Sequence, residues 1–380
     1  MSGVDFGARA IALRASAQTP RTFALLSAST LSAQVDRIDS SGHTKRGLGA
    51  ASYVCDERAN AALVAAHPAA AFTGAGGRHF RLLGTPDGFV TPEMFGCPAY
   101  VPGVNQQPYI QAAVDYAAAT GLRGVYISQS VYELWAPPRM APAGSGYNGT
   151  NHSGDFIVIS EVAMVLQGKH GNRAKLHFKG PNGGNLQTDY QVVSMTAYVG
   201  DVIWRGNGIK MTGSVSASKT RPAEGNLCHL ILRDLILFSD AVGVPNNSWP
   251  AWPLSRDPTG VGENCWDVSN KGIYCQADVH IGHLTVENLD VIGFLGECIY
   301  TPSAYLSGPA SSRVVMRNMR MLHSNGQAIN PNGPASFDID GLYAENCALG
   351  IEGWGASIWP HRKLPLQRYE PRGHIWRINL

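Results

Sequence analysis

From Leu122 onward, apolar residues recur at every second position in short runs that end in Asn, Asp or Gly. The clearest runs are His280–Leu289, Ser312–Met319 and Ser336–Leu342; Leu227–Leu235 reads as an earlier copy and His374–Leu380 as the start of a later one. Such alternation predicts strands that bury every other side chain and turn at the polar residue. A second, shorter strand follows in each unit: Gly272-Ile273-Tyr274, Cys298-Ile299-Tyr300, Ala328-Ile329-Asn330 and Gly350-Ile351-Glu352. Its isoleucines stand 26, 30 and 22 residues apart, and repeats on the order of 20–30 residues predict a solenoid. With those isoleucines stacked inside, their neighbours project from one outer wall. Upstream, Pro108–Gly121 places Ile110, Ala113, Val114, Ala117 and Ala118 on one helical face, with Pro108 in the first turn and Gly121 as the stop. Two short strands, Val125–Ile127 and Val131–Leu134, follow it.

Two insertions interrupt the repeat. Residues 137–153 are rich in Gly, Pro and Asn, whereas Pro245–Asp267 carries Trp249, Trp252, Trp266 and several prolines. A further loop from Trp354 to Pro371 adds Trp359, His361, Arg362, Lys363, Arg368 and Tyr369. Aromatics on such loops either stack on a ligand or pin the loop to the scaffold. Residues 1–90 have a different texture, with Ala-, Leu- and Ser-rich stretches before Gly47–Tyr53, Asp56 and Gly76–Leu83. Gly74-Ala-Gly-Gly77 lacks the following Lys-Ser/Thr of a phosphate loop and predicts a turn.

Composition narrows the partners. Charged residues are 15% of the chain and the formal net charge is +2, which points to neither nucleic acid nor a membrane surface. Forty-three glycines and 23 prolines suit many short strands joined by turns. No apolar run approaches a membrane span, and Met1–Gly7 shows no secretory signal. The seven cysteines are scattered, without a C-x-x-C pair or a zinc spacing, so reduced and mostly buried thiols are expected. Asn148-Gly-Thr150, Asn151-His-Ser153 and Asn246-Asn-Ser248 match the glycosylation pattern only formally.

The order Thr91-Pro-Glu-Met-Phe-Gly96, helix, first strand pair resembles the pectate-lyase-like superfamily of phage tailspikes and bacterial polysaccharide depolymerases. The resemblance extends to residues 1–90, where Gly47, Gly49, Tyr53 and Asp56, then Gly77 to Leu83, are similar to the small module ahead of many tailspike rods. It departs after Gly96, where Cys97-Pro-Ala-Tyr-Val-Pro-Gly103 stands in place of an acidic G-D-G-x-x-D-D segment. The resemblance implies an all-β chain: a right-handed parallel β-helix over residues 91–380, with a capping helix, behind an N-terminal module over 1–90. It also implies an extended polysaccharide as partner, an extracellular or virion-borne location, and a homotrimer, for which no coiled-coil heptad is present. The final run, His374–Leu380, reads as the start of a coil with no cap behind it, so either the chain is cut there or another chain or segment covers that end.

The wall beside the stacked isoleucines carries the candidate chemistry. Lys271, Glu297 and Gln327 precede the isoleucines, and Tyr274, Tyr300, Asn330 and Glu352 follow them. Hydrolysis of a glycan needs a carboxylic acid at the leaving oxygen and a second carboxylate as base or nucleophile. Glu297 and Glu352, two coils or roughly 10 Å apart by strand spacing, fit the inverting arrangement. Elimination beside a uronic carboxylate is the rival chemistry, with Lys271, Tyr274, Tyr300, His280 and Arg313 as its base and cations. A third reading is an adhesin that docks on polysaccharide without cutting it. The proposed catalytic set is therefore Glu297, Glu352, Lys271 and Tyr300, and the binding set Trp249, Trp252, Trp266, Tyr274, Gln327, Asn330 and Trp359. Glu263, Asp267 and Asp278 are reserve carboxylates. Asp338-Ile-Asp340 has calcium-ligand spacing but sits on a strand, so neither metal nor cofactor is expected.

Overall fold

In the computed structural model the chain forms two compact units, Met1–Ala99 and Tyr100–Leu380. The structure describes residues 21–139, 152–160, 163–180, 183, 206–212, 228–240, 270–275, 281–301, 313–331, 336–351 and 357–360, save residues 30, 32, 33, 75, 154 and 295. No described helix is long and apolar enough to cross a membrane.

In the first unit the strands Arg37–Asp39, Ser52–Val54, His79–Leu83 and Ala71–Thr73 form an antiparallel sheet in that spatial order. Its buried face gathers Phe23, Tyr53, Phe72 and Phe80, with the rings of Phe72 and Phe80 stacked at 5.1 Å. Two residues quoted from the N-terminal motif meet here: the Arg81 guanidinium grips the Asp56 carboxylate with Nε at 2.8 Å and Nη2 at 2.5 Å. The glycines after Thr73 make the expected turn, with Gly77 N–H donating to the Gly74 carbonyl.

His43 gives this unit a pH dependence. Its ring stacks on Phe23 at 4.7 Å, Nε2–H donates to the Ala69 carbonyl at 3.1 Å, and the buried Nδ1 has no hydrogen-bond partner among the described residues. Gly96 packs against the ring, at φ +92°, where a Cβ would stand 2.9 Å from Nδ1. Burial lowers the pKa of His43 below its ordinary 6.5, opposed in part by the bond to Ala69. Between the lowered folded value and 6.5 the unfolded chain binds the proton more readily, so stability falls as pH falls through that window. Amide protection in Ala71–Thr73 and His79–Leu83, corrected for intrinsic exchange, is expected to drop from pH 8 to pH 5. His43→Phe should flatten that drop; an unchanged pH profile in the variant would clear His43 of the effect.

In the second unit the strands build three walls by parallel pairing, apart from a small antiparallel ribbon of Pro138–Arg139 with His152–Ser153. The first wall stacks Gly124–Tyr126, Ala163–Gln167, the leading part of Cys228–Ser239, of Ile281–Ile292, of Arg313–Pro331 and of Ser336–Ile351, then Ser357–Pro360. The second stacks Val131–Trp135, Ala174–Lys179 and the continuations of the same long strands. The third stacks Ile157–Ser160, Ile209–Thr212, Ile273–Cys275 and Ile299–Thr301, then the ends of Arg313–Pro331 and Ser336–Ile351. Successive passes through walls one, two and three, each pass paired in parallel with the next, define the right-handed parallel β-helix.

Alternation places one set of side chains inside each wall. On the first wall Leu166, Leu232, Val286, Met316 and Ile339 are in register, and none is accessible. On the third wall the register is isoleucine throughout: Ile157, Ile209, Ile273, Ile299, Ile329 and Ile351. The four isoleucines expected to stack do so, and two earlier ones extend the column. One residue turns the chain from the first wall to the second: Asp234, Asn288, Asn318 or Gly341, at φ 56°, 51°, 52° and 73°. This left-handed conformation is open to Gly and tolerated by Asn and Asp, which explains the polar residue closing each apolar run.

The helix Gln107–Thr120 ends at Gly121, φ 66°, and buries Ile110, Ala113, Val114 and Ala117 as the spacing predicts; Tyr116 is buried as well and Ala118 only half. It also serves the free edge of the first third-wall strand. Gln111 accepts from Val158 N–H at 2.8 Å and donates to the Val158 carbonyl at 2.9 Å, while Gln107 donates to the Phe156 carbonyl at 2.6 Å. Two glutamines thus replace the hydrogen bonds an added strand would make.

Candidate functional site

The residues flanking the isoleucine column fall into two files. Two positions ahead of each isoleucine stand Asp155, Asn207, Lys271, Glu297 and Gln327; one position behind stand Val158, Lys210, Tyr274, Tyr300 and Asn330. In the trailing file Val158, Lys210, Tyr274 and Tyr300 are half-buried, Tyr274 between inaccessible Ile273 and Cys275, whereas Asn330, also expected on the outer wall, is buried.

The leading file was expected on the outer surface, but Lys271, Glu297 and Gln327 are almost wholly buried. The reason is local. Asn270 adopts φ +97°, and the backbone N–H groups of Asn270 and Lys271 both donate to the Asn207 side-chain oxygen, at 3.1 and 2.8 Å. Period-two alternation gives a residue two positions ahead of an interior isoleucine the same inward face, and these hydrogen bonds hold the start of the Lys271 segment against the preceding coil. Gly208 and Gly272 then lie so close to the next coil that a Cβ on Gly272 would stand 2.5 Å from the Cys298 carbonyl oxygen.

Burial forces the charges to pair. Lys271 Nζ stands 2.8 Å from Glu297 Oε2, with side chains 8% and 3% exposed. Asn330 Nδ2 approaches the other carboxylate oxygen at 3.5 Å. The ammonium lies 4.8 Å from the ring centre of Tyr300 and 5.8 Å from that of Tyr274, within cation–π range of both. Those rings are 5.7 Å apart and inclined by 36°. The Asn330 Oδ1 and Thr301 Oγ1 atoms are buried with no hydrogen-bond partner among the described residues. One coil earlier the motif recurs in variant form: Lys210 pairs with Asp155 at 2.9 Å, 6.0 Å from the Tyr274 ring. The third wall therefore offers an aromatic pair at the surface over a buried ammonium and carboxylate.

Asp155, Asn207 and Lys210 escaped the sequence reading because Ile157, Ile209 and Ile273 are 52 and 64 residues apart, far from the later spacing. Aligning Ile157-Val-Ile and Ile209-Lys-Met on Ile273-Tyr-Cys would have found them. Of the other expected site residues, Glu352, Trp249, Trp252 and Trp266 lie outside the described residues, as do Glu263, Asp267, Asp278 and His280. Trp359 is not on a loop: it belongs to the strand Ser357–Pro360 on the first wall, in register with Asp338. Arg313 also stands on the first wall, apart from the tyrosines it was grouped with. Asp338 Oδ2 is held by Arg317 at 2.6 Å and lies 3.5 Å from Arg313. Among the described cysteines, Cys97, Cys275 and Cys298 are buried and Cys55 and Cys347 half-buried, none in a disulfide; burial pushes the Cys298 thiol well above its ordinary value.

No family model matches the sequence, and no curated protein matches it. Solved structures do. The enzymatically active domain of bacteriophage CBA120 tailspike protein 2 shares 13% identity at a TM-score of 0.39, over 94% of this chain and 54% of that one. Pantoea stewartii WceF, described as a glycan biofilm modifying enzyme with a tailspike-like parallel β-helix fold, shares 11% at 0.30, over 91% and 48%. The A-module of Azotobacter vinelandii mannuronan C-5 epimerase AlgE6 shares 14% at 0.29, over 70% and 74%. The chain spans about half the length of the two tailspike-like structures. By its own strand register this chain is a parallel β-helix, the fold implied by its sequence.

Proposed function

We propose that the third wall binds and cleaves an extended polysaccharide, with hydrolysis as the chemistry and residues 1–90 as a module preceding the catalytic rod. The observation that supports this reading is the Lys271 ammonium, 2.8 Å from Glu297 Oε2 and within 4.8 and 5.8 Å of the Tyr300 and Tyr274 ring centres. Tyrosine faces stack on the C–H faces of sugars, and the carboxylate paired with this ammonium is the base or nucleophile of the proposal. Glu352, which follows the isoleucine two coils further on, is the second carboxylate of the proposal. Elimination has its own support: Lys271 between two phenols is a cation and base set of the kind that reaction uses. A trimeric state and an extracellular or virion-borne location are supported by the sequence resemblance of residues 47–134, and light scattering of the purified chain tests the former.

The deciding experiment digests a panel of bacterial and plant polysaccharides, read for new reducing ends and for the ultraviolet absorbance of unsaturated uronates. Hydrolysis gives reducing ends without absorbance; Glu297→Gln and Glu352→Gln are then each expected to lower the rate by about 10²–10⁴-fold. Both signals together mean elimination, with Tyr300→Phe as the most damaging change. Binding without either signal would replace the enzyme with an adhesin. Full activity in both glutamate variants would remove the site from the third wall.

A further inference from the structure

Outside the third wall, the most unusual grouping is on the first. His229, His283 and Arg313 are direct register neighbours on three successive coils. Each is flanked by a buried residue of the interior column, Leu230, Leu284 and Val314, so all three project from the same outer face at strand spacing, about 4.8 Å. Groups that can carry like charge, placed directly opposite one another on neighbouring strands, are unfavourable. No carboxylate shares their file, which continues to Ser336.

Among the described residues Arg313 pairs with the carboxylate of Asp338, which is already engaged. Arg317 takes it at 2.6 Å and also donates to the carbonyls of Met316 and Asp338, each at 2.9 Å, so Arg317 is the structural partner. Arg313 touches the same oxygen only at 3.5 Å, with its side chain 61% exposed, which leaves most of its five N–H donors directed to solvent. His283 is oriented by a 2.8 Å hydrogen bond between Nε2 and the Thr285 hydroxyl. Its pKa is lowered, first by burial and then by the charges of Arg313 and His229. Arg313 and His229 thus disfavour charge on His283 when nothing lies between them. An anion placed there would reverse that penalty.

We infer that the His229–His283–Arg313 file is an oxyanion-binding site, taking a carboxylate or phosphate group such as acidic glycans carry. Arg313 supplies the permanent charge and paired donors, and the two imidazoles add charge on protonation. The site binds more tightly as pH falls, because each proton that His283 gains adds an attraction to the ligand. It stands on a different wall from the proposed cleavage site and does not depend on that reading.

The test follows the His283 Cε1 resonance by NMR on the full chain, assigned by its loss in His283→Gln, with sodium glucuronate and inorganic phosphate as separate probes. Either probe is expected to raise the His283 midpoint by about one pH unit, the linkage counterpart of tenfold tighter binding to the protonated ring. Arg313→Ala should raise the midpoint without any anion, by removing a like charge, and should abolish the response to both probes. Arg313→Lys restores part of it. Movement with one probe alone supports the site and identifies which group it takes. A midpoint indifferent to both probes, or a response that survives Arg313→Ala, overturns the inference.

Discussion

Lys271→Met is expected to lower the unfolding free energy by about 3–5 kcal/mol, the cost of leaving one buried charge without its partner. Lys271 and Glu297 are both nearly buried and 2.8 Å apart, so removing the ammonium leaves a poorly hydrated carboxylate without its ion-pair partner. Glu297→Leu alone should cost a similar amount for the mirror-image reason. The double variant should recover most of both losses, because a buried ion pair replaced by well-packed apolar groups is often neutral or stabilising. Urea unfolding of the four species closes the thermodynamic cycle. A Lys271→Met variant as stable as the parent would mean that these side chains are solvated in the folded chain. The double variant also separates the roles of the pair: if stability returns and cleavage does not, the pair is retained for chemistry.

Ile299→Ala is the second large effect, about 2–5 kcal/mol for the lost contacts and the cavity left behind. Ile299 lies between Ile273 and Ile329, fully buried against both, and cannot be replaced by collapse of a flexible neighbour. Because each coil of a solenoid leans mainly on the coils beside it, hydrogen-exchange protection should fall most in Ile273–Cys275 and Ile299–Thr301 and least in Ser52–Val54 and His79–Leu83. A uniform loss across both units would show that the chain unfolds as one cooperative body. Ile299→Val, with one methylene removed, should cost about 0.5–1.5 kcal/mol.

The outline of the rod was legible because its rules are local. Period-two alternation marked the first-wall strands, the Asn, Asp and Gly residues marked the left-handed corner, and four isoleucines marked the third wall. The site was legible in membership but not in depth. Tyr274 and Tyr300 project as their parity demands, whereas Lys271, Glu297 and Gln327 were read as surface residues although they stand two positions ahead of the isoleucines, where period-two alternation gives the inward face. The turn at Asn270, made by a side-chain oxygen of Asn207 some sixty residues earlier, has no signature near Lys271 in the sequence. Asp155 and Lys210 were missed for a related reason: long insertions hid the first two isoleucines of the column.

Those insertions have a consequence for how such a chain diversifies. The two longest both enter at one corner, between Lys179 and Ile209 and between Ser239 and Ile273, where the second wall gives way to the third. Two coils later the same corner is crossed between Leu322 and Gln327. The isoleucines keep their register in all three cases, and closing a longer flexible segment costs only about 0.6 kcal/mol per doubling of its length. Length at this corner is therefore nearly neutral to the fold, so inherited variation can accumulate beside the tyrosines while the interior of the rod is left unchanged.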